Sequence, residues 1–303
     1  MQVSVFGPLK YGQRISAAGA LLLTFLVTPA FAELVDLELV IATDVSRSVN
    51  AEESMLQRDG VAQAFRSAEV IEAIERGALG KIGVVYVDWS TEYITKVVVD
   101  WQIIEDRATA TRFAETLAQA PRTWGQRTSI SSALILATAL IETNNFEGTR
   151  RVIDISGDGP NNFGLSLAPA REETLAKGII INGLPIIVAG AEFAGRGYFP
   201  DVDKYYQRCV IGGSGAFIVI AKGFEDFAAA IRRKLVLELS GLTPAETIDT
   251  RSLLVPTAAT PDGSQALPRA PPNLSILRGP STREEDCDRW GAGFGGYNNF
   301  GRP

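Results

Sequence analysis

Carboxylate and hydroxyl side chains occur at three places where an apolar segment of the sequence gives way to a loop. Asp44, Ser46 and Ser48 alternate in the stretch TDVSRSVN, Thr128 lies in WGQRTSISSA, and Asp158 lies in ISGDGPNN. Two carboxylates and three hydroxyls form a set of hard oxygen donors, which is the type that magnesium and calcium select. Such a set is suited to an octahedral cation that keeps some positions for water or for a further ligand.

The segments that must position these residues alternate between short apolar runs and amphipathic stretches. Strands are predicted at 34–43, 81–89, 150–156, 178–189 and 215–221, and helices at 50–76, 106–119, 129–143, 167–177 and 224–239. The run 92–101 follows the second strand closely and is predicted to be an antiparallel edge strand. This pattern predicts an α/β fold, doubly wound, with a mostly parallel sheet and helices on both faces. Ligands of such sheets bind beyond the carboxyl ends of the strands, where all three loops fall.

Each loop also has a simpler structural explanation. The serines would cap the helix that begins near Asn50, and Thr128 or Ser129 would be an ordinary N-cap. Asp158-Gly159 would be a plain turn. Because all three loops share one edge of the predicted sheet, a cation site is favoured over three unrelated local roles.

The sequence contains no histidine. This excludes a Ser-His-Asp triad, a Cys-His pair and the usual zinc ligands. The predicted cofactor is therefore an oxygen-bound divalent cation, magnesium first, with manganese or calcium as alternatives. The formal net charge of −6 disfavours nucleic acid as a partner, since an acidic surface repels phosphates.

Residues 1–32 have the pattern of a secretory signal peptide. Lys10 and Arg14 precede an apolar run that ends in the small-x-small pattern Ala30-Phe31-Ala32. An uncleaved membrane anchor is the alternative, although the run is short for a span. Cleavage predicts a periplasmic or secreted protein with no transmembrane segment.

The composition changes after the last predicted helix. Residues 33–240 are predicted to form the α/β domain, and 241–303 a Pro- and Gly-rich tail that is largely irregular. Cys209 and Cys287 are compatible with one disulfide in an oxidising compartment, which would attach the tail to the domain. Two separately buried thiols are the alternative.

The site residues, in their order along the chain, resemble the metal-ion-dependent adhesion site of von Willebrand factor A-type domains. The resemblance rests on Asp44-x-Ser46-x-Ser48, then Thr128, then Asp158 ahead of a glycine, and it covers 33–240. The stretches VVYVDWS, VIDISGDGPNN and CVIGGSGAF resemble more narrowly a bacterial family of secreted A-type-domain proteins, known only as a domain of unknown function.

This resemblance implies a role for each of the five positions. The hydroxyls of Ser46 and Ser48 would coordinate the metal, and Thr128 would bind it directly or through water. Asp44 and Asp158 would act mostly through bridging waters and balance the charge. One coordination position would stay open for an Asp or Glu of a protein partner.

Further residues are candidates for supporting the site or for contacting the partner. These are Asp154, Asn161, Asn162, Trp89 and Trp124. Asp154 lies inside a strand that is otherwise aliphatic, and a buried carboxylate needs partners. It would either orient the loop around Asp158 or pair with Arg150 or Arg151, and the structural role is favoured.

The predicted function is an exported, metal-dependent protein-binding module of the adhesion type, and not an enzyme. A metal-dependent hydrolase or phosphotransferase and a periplasmic small-ligand binder are the alternatives. An aspartyl-nucleophile phosphatase would carry a second Asp where Ser46 stands. The stretch GGSGA departs from a nucleophile elbow at Ala216, and the chain has no histidine to activate Ser214.

Overall fold

The computed structural model describes residues 32–188, 199, 201–241 and 287. The predicted signal peptide over 1–32 and the tail over 241–303 therefore lie outside the described residues, apart from Ala32, Gly241 and Cys287. Within the described part of the chain, no helix combines the length and apolarity that crossing a bilayer requires.

A mixed sheet forms the centre of the described domain. Its strands are β1 (Glu33–Asp44), β2 (Ile82–Trp89), β3 (Lys96–Ile104), β4 (Phe146–Gly157) and β5 (Ile180–Pro185). They lie in the order β3-β2-β1-β4-β5. The β2–β3 pair is antiparallel and the other pairs are parallel. The predicted doubly wound sheet with one antiparallel edge strand is confirmed.

Helices cover both faces of this sheet. They are α1 (Ala51–Arg66), α2 (Ala68–Glu75), α3 (Arg107–Gln119), α4 (Ile130–Thr143), α5 (Leu167–Ala176), α6 (Val202–Tyr205) and α7 (Phe227–Ser240). Side chains of β1 alternate between two apolar layers. Leu37, Leu39 and Ile41 pack with α1, α2, α3 and α7, whereas Val40 and Ala42 pack with α4 and α5. Burial on both faces explains why the strand reads as a nearly continuous apolar run.

The helix predicted over 50–76 is broken into α1 and α2 at Ser67. The backbone of Ser67 is extended, with ψ at 145°. Its hydroxyl donates to the carbonyl of Ala64 (2.7 Å) and accepts the amide of Val70 (3.4 Å). A single serine therefore ends one helix and caps the next, since its hydroxyl competes with the backbone for these groups.

The predicted strand at 215–221 does not form a strand of the sheet. Its backbone makes single bridges, Ile218 with Gly183 and Ala221 with Ile186. Gly213 and Gly215, just upstream, adopt φ of +97° and +72°, values that favour glycine and turn the chain. Similarly, residues 91–95 form a turn, so the edge strand predicted at 92–101 lies at Lys96–Ile104.

A π-helical turn (Tyr206–Val210) follows α6 and carries Cys209. Cys209 forms a disulfide with Cys287, 78 positions later in the sequence. Both cysteines are buried in the layer that contains α4 and α5. The bond therefore attaches residue 287 to the core of the domain.

Candidate metal centre

The loops at the carboxyl edge of the sheet are joined by backbone hydrogen bonds. The amide of Val45, just after β1, donates to the carbonyl of Trp89 at the end of β2 (3.0 Å). The amide of Gly125 donates to the carbonyl of Val45 (2.8 Å). A Cβ at Gly125 would lie 2.0 Å from Ser90 Oγ, so this approach requires glycine. The loops after β1 and β2 and the loop before α4 are thus fixed against one another.

Four of the predicted ligand residues form one series of hydrogen bonds at this edge. The amide of Ser46 donates to Asp44 Oδ1 (2.7 Å). Ser46 Oγ and Ser48 Oγ are 3.1 Å apart, and Ser48 Oγ donates to Asp158 Oδ1 (2.7 Å). The structure therefore brings together side chains that are 110 positions apart in the sequence.

Thr128 is held at the same edge by the loop that follows β4. Its amide donates to Asn162 Oδ1 (3.0 Å), and its carbonyl accepts the amide of Asn162 (2.9 Å). Asn161 Oδ1 accepts the amide of Ser131 (3.1 Å), and the Asn161 amide donates to the Tyr205 hydroxyl (3.2 Å). Both asparagines therefore tie the loop after β4 to the start of α4.

The two helices that begin near the site have caps of their own. Asn50 caps α1, where its side chain accepts two backbone amides and the Glu53 carboxylate accepts the Asn50 amide (2.7 Å). Ser129 caps α4 by accepting the amide of Ser132 (3.3 Å). The cap expected of Thr128 or Ser129 is thus supplied by Ser129, whereas the side chains of Ser46, Ser48 and Thr128 cap neither helix.

Asp44 is a fully buried carboxylate whose two oxygens have different surroundings. Oδ1 accepts the Ser46 amide, whereas Oδ2 has no hydrogen-bond partner within the described residues. Burial, and secondly the negative charge of Asp158, raises the pKa of Asp44 well above its ordinary value. The ionised form of Asp44 is therefore unfavourable on its own, and a bound cation would compensate its charge.

Tyr206 lies at this site although the sequence does not predict it. Its side chain is fully buried, and its hydroxyl has no hydrogen-bond partner within the described part of the chain. A Cβ at Gly157 would lie 2.9 Å from that hydroxyl and 3.0 Å from Asp44 Oδ2, so both oxygens face the same glycine. No local signal in YYQRCV distinguishes this tyrosine from an ordinary core aromatic residue.

The two tryptophans proposed from the sequence differ in exposure. Trp89 is fully buried and packs in the layer that contains α4, so it is not available to a partner protein. Its contribution is to support the loop after β2 from within the core. Trp124 is 63% exposed and lies in the loop before α4, which leaves it accessible at the edge of the sheet.

The expected pairing of Asp154 with Arg150 or Arg151 is wrong. Three or four positions along a strand correspond to roughly 10–13 Å, which is too far for contact. Asp154 instead forms a buried ion pair with Lys234 of α7, whose Nζ also lies 3.3 Å from Glu238 Oε2. Burial, and secondly the charge of Glu238, raises the pKa of Asp154 well above its ordinary value. Asp154 therefore links β4 to α7.

Solved structures show a similar fold. They include proximal thread matrix protein 1 from the mussel byssus (16% identity, 69% of this chain and 48% of that chain, TM-score 0.46). They also include a von Willebrand factor type A protein from Catenulispora acidiphila (14% identity, covering 68% of this chain and 43% of that chain, TM-score 0.49). A third is the pilus adhesin SpaC from Lactobacillus rhamnosus GG (12% identity, covering 69% of this chain and 31% of that chain, TM-score 0.49). This chain spans less than half the length of each of these proteins.

The resemblance to von Willebrand factor A-type domains is confirmed as a likeness of fold. No protein with a curated description matches the chain. The model of a family described as "Protein of unknown function (DUF1194)" matches residues 34–243. Since this match covers more than half of the sequence, the chain belongs to the DUF1194 family.

Proposed function

We propose that this protein is an exported binding module that uses a divalent cation to grip an Asp or Glu side chain of a partner protein. The cation would be held by Asp44, Ser46, Ser48, Thr128 and Asp158. When bound, it would supply a positive centre with a position open to a carboxylate. The hydrogen bonds between the loops would fix the positions of these ligands.

The observation that carries this proposal is the burial of the Asp44 carboxylate next to Asp158. Asp44 Oδ2 is buried, has no donor among the described residues and lies near a second carboxylate, which is destabilising unless a positive group is present. The structure describes no lysine or arginine paired with Asp44. A cation at this edge would balance the charge of Asp44 and Asp158 together.

The donor set suits a hard divalent cation, with magnesium first. All five side chains offer oxygen, which such cations prefer. Magnesium usually keeps several waters and is bound through one or two carboxylates, and this set contains two. The hydroxyl oxygens of Ser46 and Ser48, 3.1 Å apart, are near enough to be neighbouring ligands of one ion.

Exposed apolar side chains at the same edge support a protein as the partner. Trp124 (63% exposed) lies in the loop before α4, and Tyr93 (86%) lies in the loop after β2. Phe163 and Leu165, also exposed, lie in the loop after β4. Large aromatic side chains around a charged centre are typical of protein interfaces, where they provide most of the binding energy.

The same geometry disfavours the enzymatic alternative based on Ser214. The chain around Ser214 packs near the beginning of β5, since a Cβ at Gly213 would contact Ile180. The candidate metal centre lies at the opposite, carboxyl end of the sheet. A serine at that position therefore has no access to the cation.

Export is proposed on two grounds. The first is the signal-peptide pattern of residues 1–32. The second is the disulfide between Cys209 and Cys287, since disulfides persist in oxidising compartments such as the periplasm.

The proposal is tested by metal-dependent capture. The immobilised protein is incubated with envelope and secreted proteins in magnesium, and bound proteins are released with a chelator. Parallel columns carry Asp44→Asn, which alters the site, and Asp59→Asn, which alters an exposed aspartate of α1. We expect one partner to bind to the wild type and Asp59→Asn only, and one Asp or Glu of that partner to be essential. A partner that binds equally in chelator, or to Asp44→Asn, would contradict the proposal.

A further inference from the structure

Two fully buried polar groups at the metal centre lack partners and are complementary. Asp44 Oδ2 is an acceptor without a donor, and the Tyr206 hydroxyl is a donor without an acceptor, within the described residues. Both lie about 3 Å from the position that a Cβ of Gly157 would occupy, at 3.0 and 2.9 Å respectively. The absence of a side chain at Gly157 therefore lets both oxygens approach the same point of the backbone.

Packing alone does not explain a tyrosine at this position. A phenylalanine would fill the same volume, because the two side chains differ only in the hydroxyl. Burying that hydroxyl without a partner destabilises the folded protein, since its hydrogen bonds to water are lost. Buried polar groups in native proteins normally have partners, and exceptions point to a functional state in which the partner is supplied.

We propose that Tyr206 is a positioning residue of the cation site: when the cation is bound, its hydroxyl donates to Asp44 Oδ2, directly or through one water. This inference rests on the proposed function and assigns a further residue to that site. With the donor in place, the Asp44 carboxylate stays aimed at the cation. A direct contact satisfies both groups, and so does one water that bridges them.

Tyr206 is the tyrosine whose hydroxyl has no partner among the described residues and lies against Gly157, as Asp44 Oδ2 does. The adjacent Tyr205 differs, because its hydroxyl already accepts the amide of Asn161 (3.2 Å). Of these two buried tyrosines, Tyr206 is thus the one that faces the carboxylate.

The test compares wild type with Tyr206→Phe by calorimetric titration with magnesium and with manganese, and by thermal unfolding in a chelator. We expect Tyr206→Phe to bind either metal about tenfold more weakly, because a hydrogen bond to a charged group is lost. Its unfolding temperature without metal should be equal to or higher than that of the wild type, because an unsatisfied hydroxyl is removed. A purely structural role predicts the opposite change in unfolding temperature.

The matched control is Tyr86→Phe, which removes a buried hydroxyl from the middle of β2. Its metal affinity should equal that of the wild type. If wild type and Tyr206→Phe bind metal equally, the role of Tyr206 is overturned and the proposed function stands. If the wild type itself binds neither metal, the proposed function is overturned, and the role of Tyr206 with it.

Discussion

Replacing Asp44 by asparagine should stabilise the metal-free protein while it abolishes metal binding. Asparagine has the same shape, and its Oδ1 can still accept the Ser46 amide that Asp44 accepts at 2.7 Å. Its Nδ2 replaces Oδ2, which has no donor among the described residues and faces Gly157 beside the Tyr206 hydroxyl. The substitution also removes a buried charge next to Asp158. Each of these changes favours folding when no cation is present.

The size of the effect follows from the removal of an unsatisfied buried group. Such a group destabilises a protein by about 1–3 kcal/mol, and more when it is charged. For a domain of this size, each kcal/mol shifts the unfolding midpoint by roughly 2–4 °C. We therefore expect Asp44→Asn to unfold about 5 °C above the wild type in a chelator at pH 7.

In saturating magnesium, the wild type should unfold at a higher temperature than Asp44→Asn. At a concentration of 100 times its dissociation constant, a ligand stabilises the folded state by about 2.7 kcal/mol. Only the wild type should gain this stabilisation. The assay is thermal unfolding of wild type, Asp44→Asn and the exposed-site control Asp59→Asn, each with chelator and with saturating magnesium. A metal-free Asp44→Asn protein that unfolds below the wild type would refute the reasoning, because Asp44 would then have effective donors.

Two further predictions concern the buried charges between β4 and α7. Lys234→Met keeps an apolar side chain of similar length but leaves Asp154 and Glu238 without their cation. The free energy of unfolding, measured by denaturant titration, should therefore fall by about 3–5 kcal/mol. A loss below about 1 kcal/mol would contradict the ion-pair assignment. Because the pKa of Asp154 is raised in the folded protein, the folded protein binds this proton more tightly than the unfolded chain, in which the pKa of Asp154 has its ordinary value of 3.8. The stability of the metal-free protein should therefore fall as pH rises above about 4, and Asp154→Asn should flatten this slope.

Local patterns in the sequence are sufficient to predict the sheet and the edge at which the candidate ligands meet. Apolar runs mark the strands, and parallel strands place their carboxyl ends together. Asp44 and Asp158 both follow such strands, so their loops are predictable neighbours although they are far apart in sequence. The hydrogen bond from Ser48 to Asp158 shows that the loops do meet.

Features that depend on tertiary packing are not predictable in this way. The partner of Asp154 is Lys234, 80 positions later, because α7 packs over the middle of β4. The sequence offers only the nearby arginines as candidates. Tyr206 reaches the site because a π-helical turn brings it next to Gly157. The spacing of apolar residues in the sequence does not predict such a turn. The helical pattern of the sequence continues through Ser67, so it does not predict the break that this residue makes between α1 and α2.

The central claim is that the residues around Asp44 hold a divalent cation. Calorimetric titration of the purified protein with magnesium, manganese and calcium tests it most directly, alongside Asp44→Asn, Ser48→Ala and the control Asp59→Asn. We predict about one equivalent of magnesium or manganese bound by the wild type and the control, with weaker calcium binding and no binding by the two site variants. Absence of saturable binding by the wild type, or equal binding by the site variants, would contradict the claim.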